Sequence, residues 1–106
     1  MKRGIYEEHW VDGNKAPAGG VSSGRGFAIS WQNGPLGIGK ERKEPNGAFV
    51  EDILEAVKGR IDFYQNSPFK CNYNEMAILC VKEALGYLNR RTSDREARGV
   101  EGTHQQ

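Results

Sequence analysis

Two cysteines and two histidines are all the thiol and imidazole groups this 106-residue chain can offer a metal ion. Cys71 and Cys80 lie about 13 Å apart if both are helical, too far for a disulfide within one chain. They read as two small buried or half-buried thiols. His9 and His104 sit near opposite ends with no ligand-like spacing around them, so no metal site is expected. Long apolar runs are also missing. Hydrophobic residues make up 37% of the chain, and none of its runs approaches the roughly 18 residues of a membrane span. Met1-Lys2-Arg3 gives way to Glu7-Glu8 too soon for a signal peptide, so the expected location is cytoplasmic, with no membrane partner. An excess of one charge sign is lacking as well: the net charge is +1 with 27% charged residues. A binder of polymeric nucleic acid would show a basic excess. No Gly-x-Ser-x-Gly elbow, Cys-His pairing, His-Glu-x-x-His or Walker loop is expected. The expectation is a protein that is not an enzyme and needs no cofactor.

What is present predicts one α+β domain. Residues 1–25 are rich in Gly, Ser and Pro and read as an irregular arm, with room for short strands around Ile5-Tyr6 and Trp10-Val11. Phe27, Ile29 and Trp31 alternate onto one face, and Asn33-Gly34 is a type I′ turn signal. Pro35–Gly39 is then the returning strand, so a β-hairpin is predicted over 26–39. Asn46 is a good N-cap for a first helix over 46–66, striped by Phe49, Ile53, Val57, Ile61 and Tyr64. Ser67-Pro68 ends it. Asn72 and Glu75 form an Asn version of the capping box for a second helix over 72–98, closed by Gly99. The tail, 99–106, has no pattern. A small hairpin and a long antiparallel pair of helices cannot bury both helix stripes alone. A symmetric dimer forming a helical bundle is therefore expected.

The second helix carries an apolar seam at Ile78, Val81, Leu85 and Leu88. Stepped forward, the seam lands on Thr92 and Arg95; stepped back, on Asn74. A solvated helix keeps its charges opposite its apolar stripe, so arginine on the seam needs a partner. Arg91 and Arg95 are one turn apart. They suit either a clamp on two phosphates or ion pairing with Asp94 and Glu96. Tyr64 and Asn74 meet at the helix turn. Either they grip a nucleobase by stacking and edge hydrogen bonds, or they cap the core and bond the turn backbone. Asn74 and Arg91 are about 25 Å apart along one helix and cannot share a small pocket in one chain. Two such helices running antiparallel across a two-fold axis bring them together twice. Ser22-Ser23-Gly24-Arg25-Gly26 is either a flexible connection or a backbone cradle for phosphate, with Arg25 adding charge.

Three motifs carry a resemblance: Gly26-Phe27-Ala28-Ile29-Ser30-Trp31-Gln32-Asn33-Gly34-Pro35-Leu36-Gly37, then Pro45-Asn46-Gly47-Ala48-Phe49-Val50-Glu51-Asp52, then Arg91-Thr92-Ser93-Asp94-Arg95-Glu96-Ala97-Arg98 with Val100-Glu101-Gly102-Thr103-His104. Over about residues 1–104 the chain resembles the first Thoeris anti-defence family, phage-encoded sponge proteins. The resemblance implies a non-enzymatic protein acting in the host bacterial cytoplasm. Such a protein sequesters cyclic ADP-ribose isomers made by TIR-domain defence enzymes. It also implies a homodimer, a hexamer built as a trimer of dimers in some members, and separate sites for cyclic di- or trinucleotides of CBASS defence. Tyr64 matches the family's stacking position, Asn74 its base-side Asn, and Arg91 and Arg95 its phosphate-binding arginines. Thr92 and Trp31, inside the motifs, complete the ligand-binding set. The family tends to place a basic residue just after Pro-Leu-Gly, where this chain has Ile38; Arg42 is the nearest substitute. Arg25 and Gly26 are the candidates for the second nucleotide site. From the residue pattern alone, a structural helical oligomer or adaptor is the alternative.

Overall fold

The computed structural model describes residues 4–104. It is α+β: a three-stranded antiparallel sheet precedes two long helices. The chain divides into two compact units. One holds the residues up to Phe49 together with those from Gly99 onward; the other is Val50–Arg98.

In the sheet unit the strands are β1 (Tyr6–Val11), β2 (Pro17–Gly24) and β3 (Phe27–Trp31), in the order β1-β2-β3. The expected irregular arm over 1–25 is thus largely strand. Small residues in β2 permit this, because they let its neighbours cover it: Gly19, Gly20 and Ser22 are all buried. Glu7 stands opposite Ser22 on one side and Ile29 opposite Ser22 on the other. The hairpin predicted over 26–39 is displaced toward the N-terminus. β3 pairs back onto β2 through a turn at Arg25 and Gly26, where Gly26 takes the left-handed φ of 83°. Asn33-Gly34 closes no hairpin, and Pro35–Gly39 is not a strand. A 3-10 turn at Gly39–Glu41 follows instead.

Asn46 is not a helix cap. Its Oδ1 accepts from Asn33 N at 2.8 Å, its Nδ2 donates to Asn33 O at 2.9 Å, and its N donates to Gln32 Oε1 at 2.9 Å. Ala48 lies extended beside β3, donating to Ser30 O and accepting from Gln32 N. A Cβ on Gly47 would sit 2.6 Å from the Trp31 carbonyl, so only glycine allows this approach. These bonds use the backbone groups a helix would need, and α1 therefore starts at Val50. The tail also has a place. Gly37 N donates to Gly102 O at 2.8 Å, and Arg42 forks onto Glu101 with Nη1–Oε2 2.6 Å and Nη2–Oε1 3.0 Å.

The helix unit consists of α1 (Val50–Gln65) and α2 (Asn72–Ala97), packed on each other. The α2 N-cap is Cys71 with no side-chain bond, so the expected Asn72 capping box does not form. Gln65 Oε1 accepts from Cys71 N at 2.9 Å and ties the two helix ends together instead. The predicted seam is the inner face. Leu85, 6% exposed, is the only buried apolar side chain among the described residues, and Ile78, Val81 and Leu88 are half-buried around it. Cys71 and Cys80 are free and exposed, not buried thiols.

Candidate nucleotide site

Tyr64 occupies the last turn of α1. Its ring is 39% exposed and one side is covered by the Arg60 guanidinium, 5.1 Å from the centroid. Arg60 Nε also donates to Tyr64 Oη at 3.2 Å. The same guanidinium lies 5.0 Å over Phe63, whose ring is 6.1 Å from that of Tyr64 at 53°. Cation–π attraction holds such groups in register at a helix surface. Asn74, in the first turn of α2, is half-buried and its Nδ2 donates to Phe69 O at 3.4 Å. This contact reaches from the first turn of α2 back into the connection between the helices.

At the far end of α2, Arg91 is exposed and Arg95 half-buried. Thr92 Oγ1 donates to Leu88 O at 3.3 Å, which returns its hydroxyl to the helix backbone. Asp94 pairs with Arg98 at 3.1 Å, and the Arg90 guanidinium lies 5.3 Å over the Tyr87 ring. Arg91 has no ion-pair partner among the described residues. Tyr64 thus lies in the last turn of α1 and Asn74 in the first turn of α2, while Arg91, Thr92 and Arg95 share the C-terminal part of α2. Some 17 residues of continuous helix, about 25 Å, lie between Asn74 and Arg91. Sequence reading missed the arginine braces at Arg60 and Arg90. Their spacing was visible: each arginine lies three or four residues from its ring.

The remaining candidates belong to the sheet unit. Trp31 Nε1 donates to Ser22 Oγ at 2.8 Å, and Ser22 Oγ donates to Glu7 Oε2 at 2.9 Å. The indole is therefore fixed by a part-buried polar chain. The guanidinium of Arg42 is engaged by Glu101, so a phosphate there would compete with a forked carboxylate. Arg25 and Gly26 form the exposed β2–β3 turn. Against the expectation of no Gly-x-Ser-x-Gly, β2 spells Gly20-Val21-Ser22-Ser23-Gly24, the letters of a hydrolase nucleophile elbow. An elbow needs a strand-to-helix turn that exposes the serine. Here Ser22 sits in mid-strand, 4% exposed, between Glu7 and Trp31. The nearby His9 Nε2 contacts Glu7 at 3.2 Å, so no imidazole serves the hydroxyl. Among the described residues no group of three or more His, Cys, Asp or Glu could hold a metal ion, and no helix is long and apolar enough to cross a membrane.

No family model matches the chain. A curated protein does: "Thoeris anti-defense 1" of Bacillus phage SBSphiJ7 is 42% identical over 83 residues, 78% of this chain and 56% of the relative. The chain therefore spans about half the length of the curated relative it matches. Identity of this order across so much of the chain, together with the sheet and helical pair just described, decides the family. The chain belongs to the Thoeris anti-defence family.

Proposed function

We propose that the protein is a non-enzymatic sponge that counters Thoeris defence by sequestering a cyclic ADP-ribose isomer. The observation that carries this reading is the split of ring, amide and guanidinium side chains between the two ends of the helical pair. A ring and an amide, Tyr64 and Asn74, lie at one end. A guanidinium pair, Arg91 and Arg95, lies at the other. Neither half holds a base and a diphosphate by itself. An antiparallel α2 of a second copy supplies the missing half at both ends, giving a homodimer with two composite sites. Exposed apolar side chains on the helices, Val50, Val57, Met76 and Leu79, support such a partner, because a helix pair with one buried leucine gains little from its own core. The Thoeris anti-defence name of the phage relative supports the role. Trp31 and Arg42 join the ligand set only if the sheet unit also contributes, and Arg42 must then leave Glu101. Arg25 and Gly26 remain the place for cyclic di- or trinucleotides, with dimers assembling in threes as a hexamer. The site of action is the host bacterial cytoplasm.

One observation favours the alternative of a structural oligomer without ligand: Asn74 already bonds the turn backbone at Phe69. Thermal melting with and without cyclic ADP-ribose isomers separates the two. A ligand at about 100 times its Kd should add about 2.7 kcal/mol, and intact ligand should be recovered after heating. No shift with any isomer overturns the sponge, and recovery of opened ligand points to an enzyme. Asn74→Trp and Arg91→Ala homodimers should each fail to bind, while mixing the two chains restores one site per dimer. Mixed dimers that bind nothing would show the cross-chain arrangement to be wrong.

A further inference from the structure

We propose that Tyr87, braced by Arg90, is a second base-stacking ring of the nucleotide site, on the same helix as the phosphate-binding arginines. The proposal rests on the nucleotide-binding reading above and adds a residue to it. Tyr87, Arg91 and Arg95 follow one another at steps of four residues. Each step turns the side chain by only about 40° around the helix and advances it about 6 Å. The three form one row, with the ring leading the two guanidiniums. The row is about 12 Å long, comparable with the reach from base to diphosphate in an adenine nucleotide.

The local chemistry separates the charges by role. Arg98 is taken up by Asp94 at 3.1 Å. The guanidinium of Arg90 faces the Tyr87 ring at 5.3 Å. Arg91, the middle member of the row, is exposed and lacks an ion-pair partner among the described residues. Tyr87 is 64% exposed and its hydroxyl makes no hydrogen bond among the described residues. Its ring therefore serves neither the inner seam nor a polar network. With Arg90 over one side, the opposite side is the one left for an aromatic ligand. The same device occurs at the other half of the composite site, where Arg60 braces Tyr64 at 5.1 Å. Each half of the split site thus presents a tyrosine with an arginine guanidinium within cation–π distance of its ring. The geometry points to a ligand with an aromatic base next to a diphosphate, with Arg91 and Arg95 on its phosphates and the base flanked by Tyr87 on one face while Tyr64 and Asn74 of the second copy hold its other face and edge.

The test is calorimetric titration of the full chain with cyclic ADP-ribose isomers and, separately, with inorganic pyrophosphate. Tyr87→Ala should weaken nucleotide binding about tenfold, within the range that base–aromatic stacking supplies, and leave pyrophosphate binding unchanged. Tyr87→Phe should stay within twofold of wild type, because the ring and not the hydroxyl is used. Arg91→Ala should weaken both probes. A 3-fluorotyrosine at position 87 should shift its resonance on nucleotide titration. Wild-type binding that Tyr87→Ala leaves within twofold overturns the role of Tyr87 while sparing the sponge reading. Equal weakening for both probes, or weakening accompanied by a change of oligomeric state in sedimentation, also overturns it. A wild-type chain that binds no isomer overturns the sponge reading and this residue with it.

Discussion

The sheet unit and the helix unit are held together by different means. Side-chain hydrogen bonds tie the sheet unit across long stretches of sequence: Glu7 to Ser22 and on to Trp31, Asn46 to Gln32 and Asn33, Arg42 to Glu101. The helix unit has few such ties. It relies on a thin apolar seam centred on Leu85, and two of its arginines, Arg60 and Arg90, are spent on exposed rings. Specific polar locks fix loop geometry but add modest net stability each. A thin seam gives stability that depends on very few side chains. The helix unit is thus the half that gains most from a partner or a ligand, and it carries the nucleotide-binding candidates.

The comparison is broken most strongly at Leu85. Leu85→Ala should cost about 3 kcal/mol, the middle of the range for a buried leucine. Denaturant unfolding followed by helical circular dichroism should show it, and loss of less than about 1 kcal/mol would mean the seam is not the support of the unit. Next comes Ser22→Ala, which leaves the Trp31 indole N–H without its acceptor and should cost about 1–2 kcal/mol. Tryptophan fluorescence of the sheet unit should lose stability while the helical signal holds. Asn46→Ala should cost about 1 kcal/mol and speed hydrogen exchange at the Asn33 amide; unchanged exchange would contradict the loop lock. The smallest effect belongs to Arg42 and Glu101. Their pair is partly exposed, so a double-mutant cycle with Arg42→Gln and Glu101→Gln should give at most about 1 kcal/mol, falling with added salt.

Acid should sharpen the same contrast. Asp12 Oδ1 accepts from the Ala16 and Asn14 backbone N–H groups at 3.0 and 2.8 Å, and these bonds, that from Ala16 foremost, hold its carboxyl below the ordinary aspartate range. A carboxyl with a lowered folded pKa contributes stability above its unfolded value of about 3.9, and loses it as pH falls through the folded value. The sheet unit should therefore lose stability below about pH 4. Asp12→Asn should remove that part of the acid dependence; an unaltered acid limb in the variant would contradict it.

Residues near in sequence were read well, and residues far apart were not. Asn46 illustrates the limit. An Asn after a proline and before an apolar stripe satisfies every local rule for an N-cap. Nothing local reveals that Asn33, 13 residues earlier, offers its amide two better bonds. The same holds for Asn33-Gly34, a strong hairpin signal that goes unused because β3 already pairs with β2. Arg42 reads as the nearest basic substitute for the position of Ile38, and its partner Glu101 stands 59 residues away.

By itself the sequence determined the α+β class, the two helices to within a few residues at each end, the inner seam at Ile78, Val81, Leu85 and Leu88, and the polar residues at the ends of that seam. Each of these follows from periodicity and end signals within one element, where neighbours along the chain are neighbours in space. Only the tertiary structure decided that Gly- and Ser-rich residues 17–24 form the middle strand of a sheet, that residues 46–48 run beside β3, that the tail pairs with the loop at Gly37, and that Arg60 and Arg90 lie over rings. Most of these are pairings between distant segments. Their hydrogen bonds depend on which backbone groups other segments have left unsatisfied, and that is settled when the chain folds as a whole.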